Sequence, residues 1–97
     1  MAIVHTYDMT AATGKADDLG GALEALADAV KQIAGSQGAM VLRDVKDSQR
    51  FLFLEFWADE ASRKAAGSQL RKDVMGQIMG ATAGNPIGMA DYDRIAG

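Results

Sequence analysis

The chain has 97 residues, 48% hydrophobic and 24% charged, with a formal net charge of −3, which suits one domain over 1–97 and is too short for two. The acidic balance argues against nucleic acid or an anionic membrane as partner, while the absence of cysteine and the single histidine exclude disulfides, thiolate chemistry and the usual multi-histidine metal centres. No apolar run approaches the roughly 18 residues of a bilayer span, and Met1 to His5 lacks the basic and apolar segments of a secretory leader, so a cytoplasmic protein is expected.

Ile3 to Met9 alternates as a strand, with Ile3, His5, Tyr7 and Met9 on one face and Val4, Thr6 and Asp8 on the other. Thr10 to Gly14 is a small-residue turn, and Asp17 and Asp18 mark a helix start. Leu19, Leu23, Leu26, Val30 and Ile33 then form one apolar helical stripe that Gly35 stops. Ala39 to Val45 and Phe51 to Trp57 read as two strands joined by a polar hairpin connection. With the pairing centred on Asp47-Ser48, Met40 and Leu42 share a face with Phe51, Phe53, Glu55 and Trp57. Val41, Arg43 and Val45 then lie with Leu52, Leu54 and Phe56. Asp59 caps a helix from Glu60 to Ala66, and Gly67-Ser68 interrupts it. A second helical stretch from Gln69 to about Gly80 gathers Leu70, Val74, Met75, Ile78 and Met79 on one face. Ala81 to Pro86 is a loop, and Ile87 to Arg94 is a last strand that Gly88 weakens.

The order β-α-β-β-α-β predicts an α+β, ferredoxin-like domain, with two helices covering one face of a four-stranded antiparallel sheet. The third strand is apolar on both sides. Either Phe51, Phe53 and Trp57 or Leu52, Leu54 and Phe56 must therefore face away from the helices, a larger patch than monomers usually expose. A homodimer, two sheets face to face about a twofold axis, is the expected solution.

The stretch Arg43-Asp44-Val45, followed by Arg50 through Ala61, carries a further signal. It resembles the antibiotic biosynthesis monooxygenase domain family of dimeric α+β barrels, in which an apolar strand ends in Glu-x-Trp before a small residue and an acidic helix start. Glu55, Trp57 and Asp59-Glu60-Ala61 fit that pattern, as do Gly14-Lys15-Ala16 before the long helix and Tyr92 in the closing strand. The resemblance implies a homodimeric barrel with a small pocket between sheet and helices in each subunit. It implies a monooxygenase-type oxidoreductase that uses no metal or flavin and acts on a small aromatic molecule, a quinol or polyketide anthrone, that reacts with oxygen itself. The chain departs from the family in having no histidine across Ala65 to Leu70. It also lacks the asparagine, tryptophan and histidine of haem-degrading relatives, near Tyr7, Ala66 and Gly76. Two other readings stay open: a non-catalytic ligand-binding or stress-related dimer, and a small-molecule isomerase using His5 or Glu55.

Among candidate residues, His5 is either the general base for a phenolic proton or a strand histidine hydrogen-bonded at the sheet end or dimer face. Tyr7 shares its face and adds an aromatic wall with a polar tip. Glu55 interrupts an apolar strand with a charge, so it needs a partner or a raised pKa. Arg43 or Arg94 across the dimer would supply the partner, and acid–base catalysis is the alternative. Trp57 and Phe53 offer rings for stacking or belong to the core. Met75 and Met79 give the last helix a soft apolar face suited to planar ligands or to ordinary packing, and Tyr92 completes the substrate-binding set. Arg63, Lys64, Arg71 and Lys72 read as a solvated face. The Gly80 to Gly88 stretch reads as a mobile flap or a long turn.

Overall fold

The computed structural model describes residues 2–97. Its strands are β1 (Ile3–Thr10), β2 (Ser36–Arg43), β3 (Arg50–Trp57) and β4 (Gly88–Asp93). Between them run helices α1 (Ala16–Lys31), α2 (Glu60–Ala66) and α3 (Lys72–Ala81), with a short 3-10 turn at Gly67–Gln69. All strand pairs are antiparallel in the order β2-β3-β1-β4. This is the ferredoxin-like α+β arrangement, with α2 and α3 sharing the place of the second helix.

Strand parity decides what lies inside. α1 buries Leu19, Leu23, Leu26 and Val30, and α3 buries Val74 and Ile78. They pack in one core with Ile3, Met9, Phe51, Phe53 and Trp57 of the sheet. Each large side chain removed from water in this way contributes about 1.5–3 kcal/mol.

The β2–β3 hairpin corrects the expected register by one residue. Arg43 pairs with Phe51, Val41 with Phe53 and Ala39 with Glu55. Val41 and Arg43 therefore lie with Phe53 and Glu55, whereas Met40 and Leu42 join Leu52, Leu54 and Phe56 on the face away from the helices. The loop chemistry explains the shift. Asp44 Oδ1 accepts the backbone N–H groups of Lys46 and Asp47, and Asp47 Oδ1 accepts that of Gln49. These bonds curl the chain immediately after Arg43 and leave Val45 98% exposed in the loop.

The second helical region also differs from expectation. Asp59 Oδ1 caps α2 by accepting the Ser62 N–H at 2.7 Å. Leu70 and Arg71 are extended, however, and α3 begins only at Lys72. Gly35 has φ +86, and a Cβ there would collide with the Ser62 side chain. α1 already ends at Lys31 with Gln32 as its cap, so Gly35 is not the stop its place in the sequence suggests; it is required in the turn into β2, where it lets α2 lie close.

Candidate functional site

Antiparallel register assembles the site. His5 on β1 stands opposite Glu55 on β3 and opposite Asp91 on β4. Three titratable side chains thus form one row across the helix-covered face, half-exposed at Asp91 and buried at His5 and Glu55. α2 lays Arg63 against this row. Asp91 Oδ1 accepts a hydrogen bond from His5 Nδ1 at 2.7 Å and pairs with Arg63 Nε at 3.0 Å. With the Nδ1 proton committed to the carboxylate, Nε2 keeps the imidazole lone pair. Arg63 Nη2 stands 3.1 Å from Nδ1 and 3.5 Å from Nε2.

Glu55 is only 4% exposed. Its Oε1 accepts the Trp57 indole N–H at 3.1 Å, and its Oε2 has no partner among the described residues. Burial holds its pKa above the ordinary carboxylate range, opposed by the indole N–H and by electrostatic interaction with His5 and Arg63. Tyr7 packs edge-on against His5 with ring centroids 4.6 Å apart. Burial, reinforced by the nearby Glu55 charge, pushes its phenol up to about 12, so it stays neutral.

One cavity opens onto this row, and a second adjoins it. A polar one of about 140 Å³ is lined by His5, Tyr7, Glu55, Arg63, Lys64 and Met89, and is closed by Ala66, Gly67 and Leu70. An apolar one of about 400 Å³ lies between α3, the loop after it and the sheet, with Met9, Leu26, Met75, Ile78 and Met79 among its walls. Tyr7 and Met89 line both. The loop after α3 is pinned by Asn85 Nδ2, which donates to the Thr10 and Ala11 carbonyls at 3.0 and 3.3 Å.

The candidate residues therefore separate into groups. His5, Tyr7 and Glu55 come together at the polar cavity, and Met75 and Met79 line the apolar one. Phe53 and Trp57 lie wholly inside the core and line neither cavity; Trp57 acts on the site through its bond to Glu55. Tyr92 pairs with Val4 on the opposite face, 58% exposed, away from both cavities. Within the chain Glu55 pairs with neither Arg43 nor Arg94, and it lies buried on the helix-covered face. Arg43 covers the Phe51 ring and reaches Asp17, and Arg94 lies over Phe56. Arg63 belongs to the site and not to a solvated face, because Asp91 draws it inward. Sequence reasoning missed Asp91 too, although an aspartate sharing strand parity with Met89 was a usable signal.

Among the described residues no three histidine or acidic side chains are placed to hold a metal ion; the cation beside Asp91 and His5 is the Arg63 guanidinium. No helix among them is long and apolar enough to cross a membrane.

Comparison with known proteins adds a family. No curated protein matches the sequence significantly. Among solved structures, Rv0793 from Mycobacterium tuberculosis superposes with a TM-score of 0.83 at 9% identity, covering 100% of this chain and 98% of that one. A mutant of SnoaB, a cofactor-independent oxygenase from Streptomyces nogalater, gives 0.79 at 10% identity over 99% and 95%. PA3566 from Pseudomonas aeruginosa gives 0.74 at 23% identity over 98% and 95%. These likenesses establish the fold. The sequence pattern of the antibiotic biosynthesis monooxygenase family matches residues 1–71, a stretch that contains His5, Tyr7, Glu55, Trp57 and Arg63 and stops short of α3 and Asp91. On that match the chain belongs to the antibiotic biosynthesis monooxygenase family.

Proposed function

We propose that the chain is a cofactor-independent monooxygenase for a small planar phenol, such as a quinol or an anthrone, and that it works as a homodimer with 1–97 as one domain. The observation that carries this reading is the junction at Tyr7 and Met89, where an apolar cavity of about 400 Å³ adjoins the small cavity lined by His5 and Arg63, the partners of Asp91. The larger cavity suits fused rings, with the soft side chains of Met75 and Met79 adapting to their faces. His5, oriented by Asp91, accepts the acidic proton of the substrate, and Arg63 favours the anion that remains. That electron-rich anion reduces molecular oxygen. In an anthrone, one oxygen atom replaces the two ring-methylene hydrogens to form a carbonyl, and the other leaves as water. The protein binds the rings, holds the deprotonated form and excludes bulk water.

The outer sheet face supports the dimer. Met40, Leu42, Leu52 and Tyr92 are exposed there beside Leu54 and Phe56, a patch that a second copy would cover about a twofold axis.

Oxygen uptake with a panel of naphthohydroquinones and anthrones, on metal-stripped protein without flavin, tests the reaction. Saturable uptake above autoxidation, with a quinone or hydroxylated product, is expected. Uptake no faster than autoxidation across the panel sinks the reading. A second reading, proton-transfer isomerisation, is favoured by the opposition of His5 and Glu55 in one row. Substrate rearrangement that proceeds without oxygen would select it.

A further inference from the structure

The proposed reaction leaves one buried polar atom unused, Glu55 Oε2. The indole N–H of Trp57 already occupies Oε1, so any ligand contact of this side chain falls to Oε2. Glu55 lies directly across from His5 on paired strands, where Cβ atoms are about 4.5–5.5 Å apart. The two side chains share no hydrogen bond; His5 is engaged with Asp91 and Arg63. Both line the cavity of about 140 Å³, which has room for a hydroxyl and the edge of one ring.

Resting on the reading above, we propose that this small cavity is a hydroxyl subsite: Glu55, as an uncharged acid, donates from Oε2 to the oxygen of a phenol or enol while His5 Nε2 takes that oxygen's proton. The substrate O–H bond breaks, an N–H bond forms on His5, and no electron moves in this step. The Nδ1–H bond to Asp91 is kept throughout, so the imidazolium is made beside a carboxylate. A carboxylic acid kept neutral by burial is an effective donor to a developing oxyanion. Among the charged and titratable groups facing the subsite, His5 and Arg63 draw Glu55 toward its ionised form, and burial opposes them. Arg63 and Lys64 come from α2, His5 and neutral Tyr7 from β1, and Asp91 from β4, where its charge is matched by Arg63. The ring bearing the hydroxyl extends past Tyr7 and Met89 into the apolar cavity.

The test is equilibrium binding of 4-nitrophenol to the full chain without oxygen, followed by its visible phenolate absorbance, with 4-nitroanisole as the methyl-ether control. The bound phenol is expected to ionise at a pH about one unit or more below the free probe, and the ether to bind at least about tenfold more weakly, the loss of an unmade buried hydrogen bond. Glu55→Gln keeps an N–H donor at the same place and should hold affinity to within a few-fold. Glu55→Leu should lose about tenfold or more and return the bound probe to its neutral form. Equal binding of phenol and ether, a probe bound as the neutral phenol, or Glu55→Gln failing as badly as Glu55→Leu would each overturn the subsite. The wild-type comparison of phenol with ether stands even where Glu55→Leu does not fold. Phenolate binding without any oxygen uptake on hydroquinones would keep the subsite and remove the oxygenase; uptake with no preference for phenol over ether would do the reverse.

Discussion

β3 presents two contrasting surfaces within eight residues. Phe51, Phe53, Glu55 and Trp57 face the helices, and Leu52, Leu54 and Phe56 face away. On the inner side the polar groups are deep: His5 and Glu55 are each 4% exposed, in surroundings where charge is poorly screened and proton affinities move. On the outer side the charges stay at the margin in solvated contacts, such as Arg50 with Asp8 at 2.8 Å and Arg94 over the Phe56 ring. Pairs of that kind contribute little, so apolar area must supply whatever association occurs there. On the proposed reading, one strand thus carries a face for chemistry and a face for assembly. Substitutions on the two faces should fail in different ways.

The largest expected effect is on the inner face. His5→Ala should lower kcat/KM for oxygen uptake by about 10²–10⁴-fold, the usual worth of a positioned base, while the mass by light scattering stays unchanged. Turnover unaffected by this substitution would place the base elsewhere. On the outer face, Leu54 lies between Met40 and Thr6 in register. Leu54→Asp would bury an unpaired carboxylate at a dimer contact, a loss of about 3–5 kcal/mol. The mass should then fall from twice the chain mass to the single-chain 10.2 kDa. A dimer that survives this change uses another surface.

Gly35 bears on the inner face alone, since its close approach to Ser62 sets the height of α2 and hence of Arg63. Gly35→Ala combines a strained positive φ with a side-chain collision and should cost about 1–3 kcal/mol. Urea unfolding would measure that cost. Reduced oxygen turnover at saturating substrate should accompany it as Arg63 is displaced.

How much of this was legible in the sequence follows from the range over which each signal acts. The double apolar character of β3 and the odd charge of Glu55 are local, and both could be read from one strand. The hairpin register was not, because Val45 continues an apolar alternation that the Asp44 and Asp47 side chains cut short. Arg63 looked solvated because its partner Asp91 reaches it only through the pairing of β4 with β1. Tyr92 looked like a ligand contact until its pairing with Val4 fixed its face. Wherever a role depends on which strand lies beside which, composition and spacing on one segment are silent.

The smallest expected effect bears most directly on the charge of Glu55. Burial raises its folded-state pKa above the unfolded value of about 4.3, so over that interval the folded chain binds a proton that the unfolded chain has released. The resulting stability is fully present below about pH 4 and is lost as pH climbs through the raised value. Glutamine has no proton to lose. Relative to wild type, Glu55→Gln should therefore gain stability as pH rises from about 4 to about 8. Urea midpoints of the two proteins at both pH values measure that change. A constant offset between them would mean that Glu55 ionises in the folded protein as it does in the unfolded chain. Oε2 would then be an acceptor, and the uncharged donor assigned to the subsite would not exist.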